Sequence, residues 1–176
     1  MTKIFIGFGT VVLMLILLFT STPSNDTGLL RLHIRANSNA VVDQSVKYEI
    51  RDAVVEYLTP KVCTVQSFGE AKDIINANLN NIKLIADNVL WSKGFDYVSN
   101  PKINNEYFPT RSYEGYVVEN GYYDALIIEL GEAKGDNWWC VVYPPLCFVN
   151  TEYTNGKGVV YKSKILAIIE KFIKGE

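Results

Sequence analysis

The apolar residues of this chain change their period at Phe95, and that change constrains the fold more than any other feature. From Val42 to Gly94 they recur at helical spacing, and from Phe95 onward they alternate in twos between turn residues. A chain that passes from a period of about 3.6 to a period of 2 segregates its helices from its strands, which is the α+β arrangement. Asn37-Ser38-Asn39 offers N-cap chemistry, and Val42, Val46, Ile50, Ala53, Val54 and Tyr57 line one helical face. This predicts a helix ending near Leu58, ahead of Thr59-Pro60. Ser67-Phe68-Gly69-Glu70 is a capping box that opens a second helix. Its apolar face runs through Ala71, Ile75, Leu79, Ile82, Ala86 and Val89, with Gly94 placed to terminate it.

Ahead of the helices, Leu30, Leu32 and Ile34 alternate with Arg31, His33 and Arg35, predicting a strand over 29–35 whose apolar face meets the core. In the second half Tyr122 to Leu130 and Asn137 to Tyr143 are the clearest strands, and Gly131 to Asp136 between them suits an antiparallel hairpin. Lys162 to Lys174 reads as a last helix with Ile165, Leu166, Ile169, Phe172 and Ile173 on its apolar side. Its lysines form either a solvated face or a membrane-surface stripe. The expectation is a single α+β domain: two N-terminal helices after a first strand, a mainly antiparallel sheet, and a C-terminal helix.

Ile4 to Phe19 is apolar and free of charge, with Lys3 before it and a Thr/Ser/Pro/Asn stretch after it. Positive charge at the start keeps that end inside and sends the remainder across the membrane. Its length lies between a signal-peptide core and a spanning helix, so cleaved export and a retained anchor are both open. Thr22 and Ser24 supply small positions for a cut before Asn25. The division is 1–25 as signal peptide or N-terminal membrane anchor and 26–176 as one exported domain, about 150 residues long, enough for one core. Seventeen basic against nineteen acidic residues, a net charge of -2, give no field that favours nucleic acid.

The chemistry-bearing residues are few. One histidine and the spacing of Cys63, Cys140 and Cys147 match no zinc pattern, so neither a metal nor another cofactor is expected. No phosphate loop is present, and no Gly-x-Ser-x-Gly elbow. Outside the cytoplasm Cys140 and Cys147, flanking Pro144-Pro145, either form a disulfide or stay as two buried thiols. His33 can serve as an acid-base group for a cysteine, but Arg31 and Arg35 on its strand face suit a polar recognition surface. Trp138 and Trp139 point to opposite sides of a strand, so either both are buried between layers or one meets a partner.

The run Asn137-Trp138-Trp139-Cys140-Val141-Val142-Tyr143-Pro144-Pro145-Leu146-Cys147-Phe148 resembles stage II sporulation protein R of endospore-forming bacteria. So do Leu32-His33-Ile34-Arg35-Ala36-Asn37-Ser38, Asp43-Gln44, Lys47, Arg51-Asp52, Gly121-Tyr122 and Ala125-Leu126 through Gly131. Val118-Glu119-Asn120 departs from the family's pattern. The resemblance implies a non-enzymatic signalling protein secreted across the forespore membrane into the space between forespore and mother cell, with membrane contact through its N-terminal segment if uncleaved. Its partner would be a membrane-embedded sporulation aspartic protease, which removes the pro-segment of a mother-cell sigma factor. Arg31, His33, Arg35, Asn37, Trp138 and Trp139 are the candidate partner-binding residues. An extracytoplasmic hydrolase pairing His33 with Cys140 or Cys147, or a cell-envelope binding module, are the alternatives.

Overall fold

A computed structural model of the chain describes residues 28–113 and 116–144. The apolar N-terminal run, Cys147 and the helix expected at 162–174 lie outside the described residues. The elements are β1 (Leu30–Arg35), α1 (Val41–Val62), α2 (Phe68–Ala77), α3 (Leu79–Ser92), β2 (Ser99–Phe108), β3 (Arg111–Tyr113), β4 (Tyr116–Val118), β5 (Gly121–Leu130) and β6 (Asn137–Tyr143). Four strands form one sheet in the order β2-β5-β1-β6, while β3 and β4 form a separate two-stranded ribbon.

The α1 face is built as its spacing requires, with Val46, Ile50, Val54 and Leu58 buried, although Val42 is exposed. The helix does not stop before Pro60 but continues to Val62. Val62 is fully buried in the core, and a burial of about 1.5–3 kcal/mol offsets the cost of a proline inside a helix, about 3 kcal/mol. Ser67 caps α2 through its side chain, which accepts from the Glu70 backbone N–H, and the Glu70 carboxylate accepts from Gln66 N.

Two features correct the expected architecture. Three helices follow the first strand, not two, because the second amphipathic stretch breaks at Asn78. The Asn78 amide donates to Ile74 O at 2.7 Å and its oxygen accepts from the Tyr57 hydroxyl at 2.5 Å, while its backbone departs from helical angles. A short polar side chain bonding its own helix in this way competes with continuation. The sheet is also mixed and not mainly antiparallel: β1 runs parallel to β5 and antiparallel to β6, and β2 is antiparallel to β5.

The expected β5–β6 hairpin is therefore absent. β1 inserts between the two strands, and the loop 131–136 steps over its end. Two strand spacings are about 10 Å, which six residues cover easily. The step is fastened by Lys134 N donating to Asn37 O and Gly135 N to Ala36 O. Paired on both sides, β1 is the most enclosed strand, with only Arg35 partly exposed.

The helices cover one face of the sheet. Leu30, Leu32 and Ile34 meet Leu126, Ile128 and Leu130 of β5, Cys140 and Val142 of β6, and the buried rows of all three helices. The opposite face carries a smaller cluster of Phe108, Val118, Tyr123, Ala125, Ile127 and Val141, with Leu29, Tyr113 and Trp139 packed against it. Strand alternation puts Arg31, His33 and Arg35 on this second face.

Candidate functional site

Arg31 is fully buried. Its Nε donates to Cys140 O at 3.1 Å and its Nη2 to the Tyr113 hydroxyl at 2.9 Å. The guanidinium carbon lies 4.4 Å from the Phe108 ring centre and 5.1 Å from that of Tyr123. Burial pulls its pKa down, and the Tyr113 hydrogen bond works the other way. A guanidinium remains charged under such opposition, and aromatic faces replace part of its lost hydration.

His33, 4% exposed, packs edge-on to Phe108 and tilted against Trp139. Its Nδ1 is 2.8 Å from Glu106 Oε2. Burial drives its pKa down to about 4, with Asn137 working upward and Arg35 downward. Glu106 is also ion-paired with Arg35, and the Glu129 charge works upward on His33 without overcoming its burial. The ring is therefore neutral near pH 7 and its Nδ1–H donates to Glu106. Arg35 in turn donates to Glu129 at 2.8 Å, and Glu129 accepts from Lys102 at 2.7 Å and Asn100 at 3.2 Å. Burial works against the Glu129 carboxylate, but the Lys102 hydrogen bond and charge hold it below the usual range. The result is a linked line, His33–Glu106–Arg35–Glu129–Lys102, lying across three strands.

The structure brings Arg31, His33, Arg35 and Trp139 together and separates Trp138 from them. Trp139 stands over His33 and under Arg111, whose guanidinium is 4.2 Å from the indole centre. Trp138, on the helix face, meets Arg51 at 5.3 Å, and Arg51 lies 5.0 Å from the exposed Tyr48 ring. Each tryptophan of the pair thus carries a stacked arginine, one on each face of β6.

Asn37 has a different place. Its amide donates to Asp43 at 2.9 Å and its oxygen accepts from Glu132 N at 2.9 Å. Asp43 also accepts from Ser38 Oγ at 2.5 Å and the Tyr97 hydroxyl at 2.6 Å. Lys47, buried beside it, bridges Gln44 and Asp136 O. Burial opposes the Asp43 carboxylate, and the three side-chain hydrogen bonds outweigh it, holding its pKa below the usual value. This network fixes the β1–α1 turn to the loop that crosses it.

Cys140 projects into the helix-side core, opposite Leu32, whereas His33 lies on the other face. The two are not assembled as a nucleophile and base. Cys140 is held in a disulfide and Cys63 is a free thiol whose pKa burial raises. Among the described residues no group of three or more His, Cys, Asp or Glu could hold a metal ion.

The sequence reading missed Glu106, Tyr113, Phe108 and Tyr123 around Arg31 and His33. These partners come from strands whose register with β1 is not encoded in alternation. Arg51 and Tyr48 had a signal: at i and i+3 on a helix they are neighbours.

Fold and site together define a small domain with three helices on one face of a four-stranded mixed sheet, a linked polar line on the other face and arginine-stacked tryptophans along β6. A family model described as stage II sporulation protein R matches residues 26–153. Stage II sporulation protein R of Bacillus subtilis (strain 168) is 39% identical over 130 residues, 74% of this chain and 57% of that one. The chain belongs to the stage II sporulation protein R family, and its matched part spans 57% of the length of that curated relative. No solved structure matches it.

Proposed function

We propose that the chain is an exported, non-enzymatic signal of sporulation. In this reading residues 1–25 carry the domain 26–176 across the forespore membrane, with the leader cleaved or kept as an anchor. The domain binds the outer side of a membrane-embedded aspartic protease and favours its active form, which starts processing of the mother-cell sigma factor precursor. A ligand does this only by binding the active state more tightly; a swing from 1:99 to 99:1 needs about 5.5 kcal/mol of differential affinity.

The observation that supports this reading best is the pair of arginine-stacked tryptophans, because Trp, Tyr and Arg dominate the energetics of protein contacts. Trp138 with Arg51 and Tyr48 makes the more accessible of the two clusters, whereas Arg31 and His33 are sealed and act by holding the strand beneath Trp139. Separation of His33 from Cys140 by the sheet disfavours the hydrolase alternative.

The test is sporulating cells carrying Arg51→Ala or Trp138→Ala, with export and folding verified. Processing of the sigma factor precursor should fall in both. Normal processing in both would remove this cluster from the contact.

A further inference from the structure

At the β2 edge of the sheet, far from β6 in the strand order, a groove of about 360 Å³ opens between α2 and the strands. It is lined by Lys72, Asp73 and Asn76 of α2, Ile103, Asn104 and Asn105 of β2, and Asp124 of β5. The volume is at the lower end of the range for small-molecule sites. Lys72 donates to one oxygen of Asp124 at 2.5 Å and Asn105 to the other at 3.1 Å. Burial opposes the Asp124 carboxylate, and Lys72 and Asn105 nevertheless hold its pKa below the usual value. Among the described lining residues the one cation is thus spent on one of two carboxylates, which disfavours an anionic ligand.

The register extends the groove. Asn105 faces Asp124, and two residues further along the same face Tyr107 faces Tyr122. That step is about 7 Å. The two tyrosines meet edge to face with ring centres 5.6 Å apart, yet are 51% and 56% exposed. Asn120 donates to the Tyr107 hydroxyl at 2.9 Å, fixing that ring. Two open aromatic rings therefore continue directly into a row of amides and carboxylates. Rings recognise the C–H faces of a flat, otherwise polar molecule, and amide and carboxylate groups side by side both donate to and accept from hydroxyls.

We propose that this groove binds an uncharged saccharide, of the N-acetylhexosamine type, with a sugar ring against Tyr107 or Tyr122 and hydroxyl and acetamido groups on Asn76, Asn105 and Asp73. The site lies apart from the Trp138 and Trp139 clusters and does not depend on protease contact. A lipid surface would use the same exposed tyrosines but would leave the polar groove without a purpose.

The experiment is calorimetric titration of the full chain, held in phosphatidylcholine nanodiscs, with soluble oligomers of N-acetylglucosamine. Saturable binding is expected, weakened about tenfold by Tyr122→Ala or Tyr107→Ala, each a lost aromatic contact. Tyr122→Phe keeps the ring and should keep the affinity, while Asn105→Ala should weaken it without touching either ring. Circular dichroism of each variant separates lost binding from lost folding. No saturable binding, or binding indifferent to all three alanine substitutions, overturns the proposal. So does lipid burial of both tyrosines, read by quenching from nanodisc spin labels, without saccharide binding.

Discussion

The chain contains a single histidine, so the electrostatics of its buried imidazole can be read from one titration. His33 falls from 6.5 in the unfolded chain to about 4 in the fold, chiefly through burial. The native state then binds fewer protons than the unfolded state, and stability declines as pH drops below 6.5. At about 1.4 kcal/mol per decade, the full difference is about 3 kcal/mol, reached near pH 4. Asp43, Asp87, Asp124 and Glu129 are all held below their ordinary values of 3.8 or 4.5. Their stabilisation is present above those values and is lost only as pH falls through and below them. Between pH 6.5 and about 5.5, a unit above the highest of those values, the slope should therefore belong to His33. Urea unfolding across that window should show stability falling by about 1.2 kcal/mol per pH unit at its lower end. In His33→Gln, which retains a donor for Glu106, that slope should vanish. A flat wild-type profile, a slope that survives in His33→Gln, or an imidazole resonance titrating near 6.5 in the native protein would refute the argument.

Other expectations follow from the turn beyond β1. Asp43→Ala leaves Asn37, Ser38 and Tyr97 without their acceptor and should cost about 2–4 kcal/mol in chemical denaturation. A Cβ at Gly135 would collide with the Ser38 backbone carbonyl, which cannot yield as a side chain can, so Gly135→Ala should destabilise by about 1–3 kcal/mol. Gly69→Ala, in open space within α2, should instead raise the melting temperature through a gain of about 0.5–1 kcal/mol. We propose Cys147 as the partner of Cys140; replacing both by serine should lower stability by about 2–3 kcal/mol while leaving specific activity intact.

Much of the fold could be read from local pattern. The faces of β1 and α1, the capping box at Ser67 and the strands at 121–130 and 137–143 all follow from spacing and cap chemistry. What was not legible depends on distant residues. Pro60 stays helical because Val62 finds a place in the core, and the helix breaks at Asn78 because Tyr57 reaches its side chain. Pairing of β1 between β5 and β6 rests on long-range closure, to which a six-residue loop is indifferent. The same holds for the site. Arg31, His33 and Arg35 were visible as one strand face, but alternation cannot tell an open polar face from one covered by Phe108, Tyr113 and Tyr123. The chemistry of these residues is consequently more structural than their exposed-looking charges suggested.

Under the proposed function, a folded domain outside the membrane switches on an enzyme within it. The direct measurement places the protease and its sigma factor precursor in lipid vesicles, with the precursor on the cytoplasmic side, and adds the full chain from the other. Precursor cleavage should begin on addition and be strongly reduced with the Arg51→Ala form. Cleavage at the same rate without the chain, or none with a correctly folded chain bound to the protease, would contradict the account.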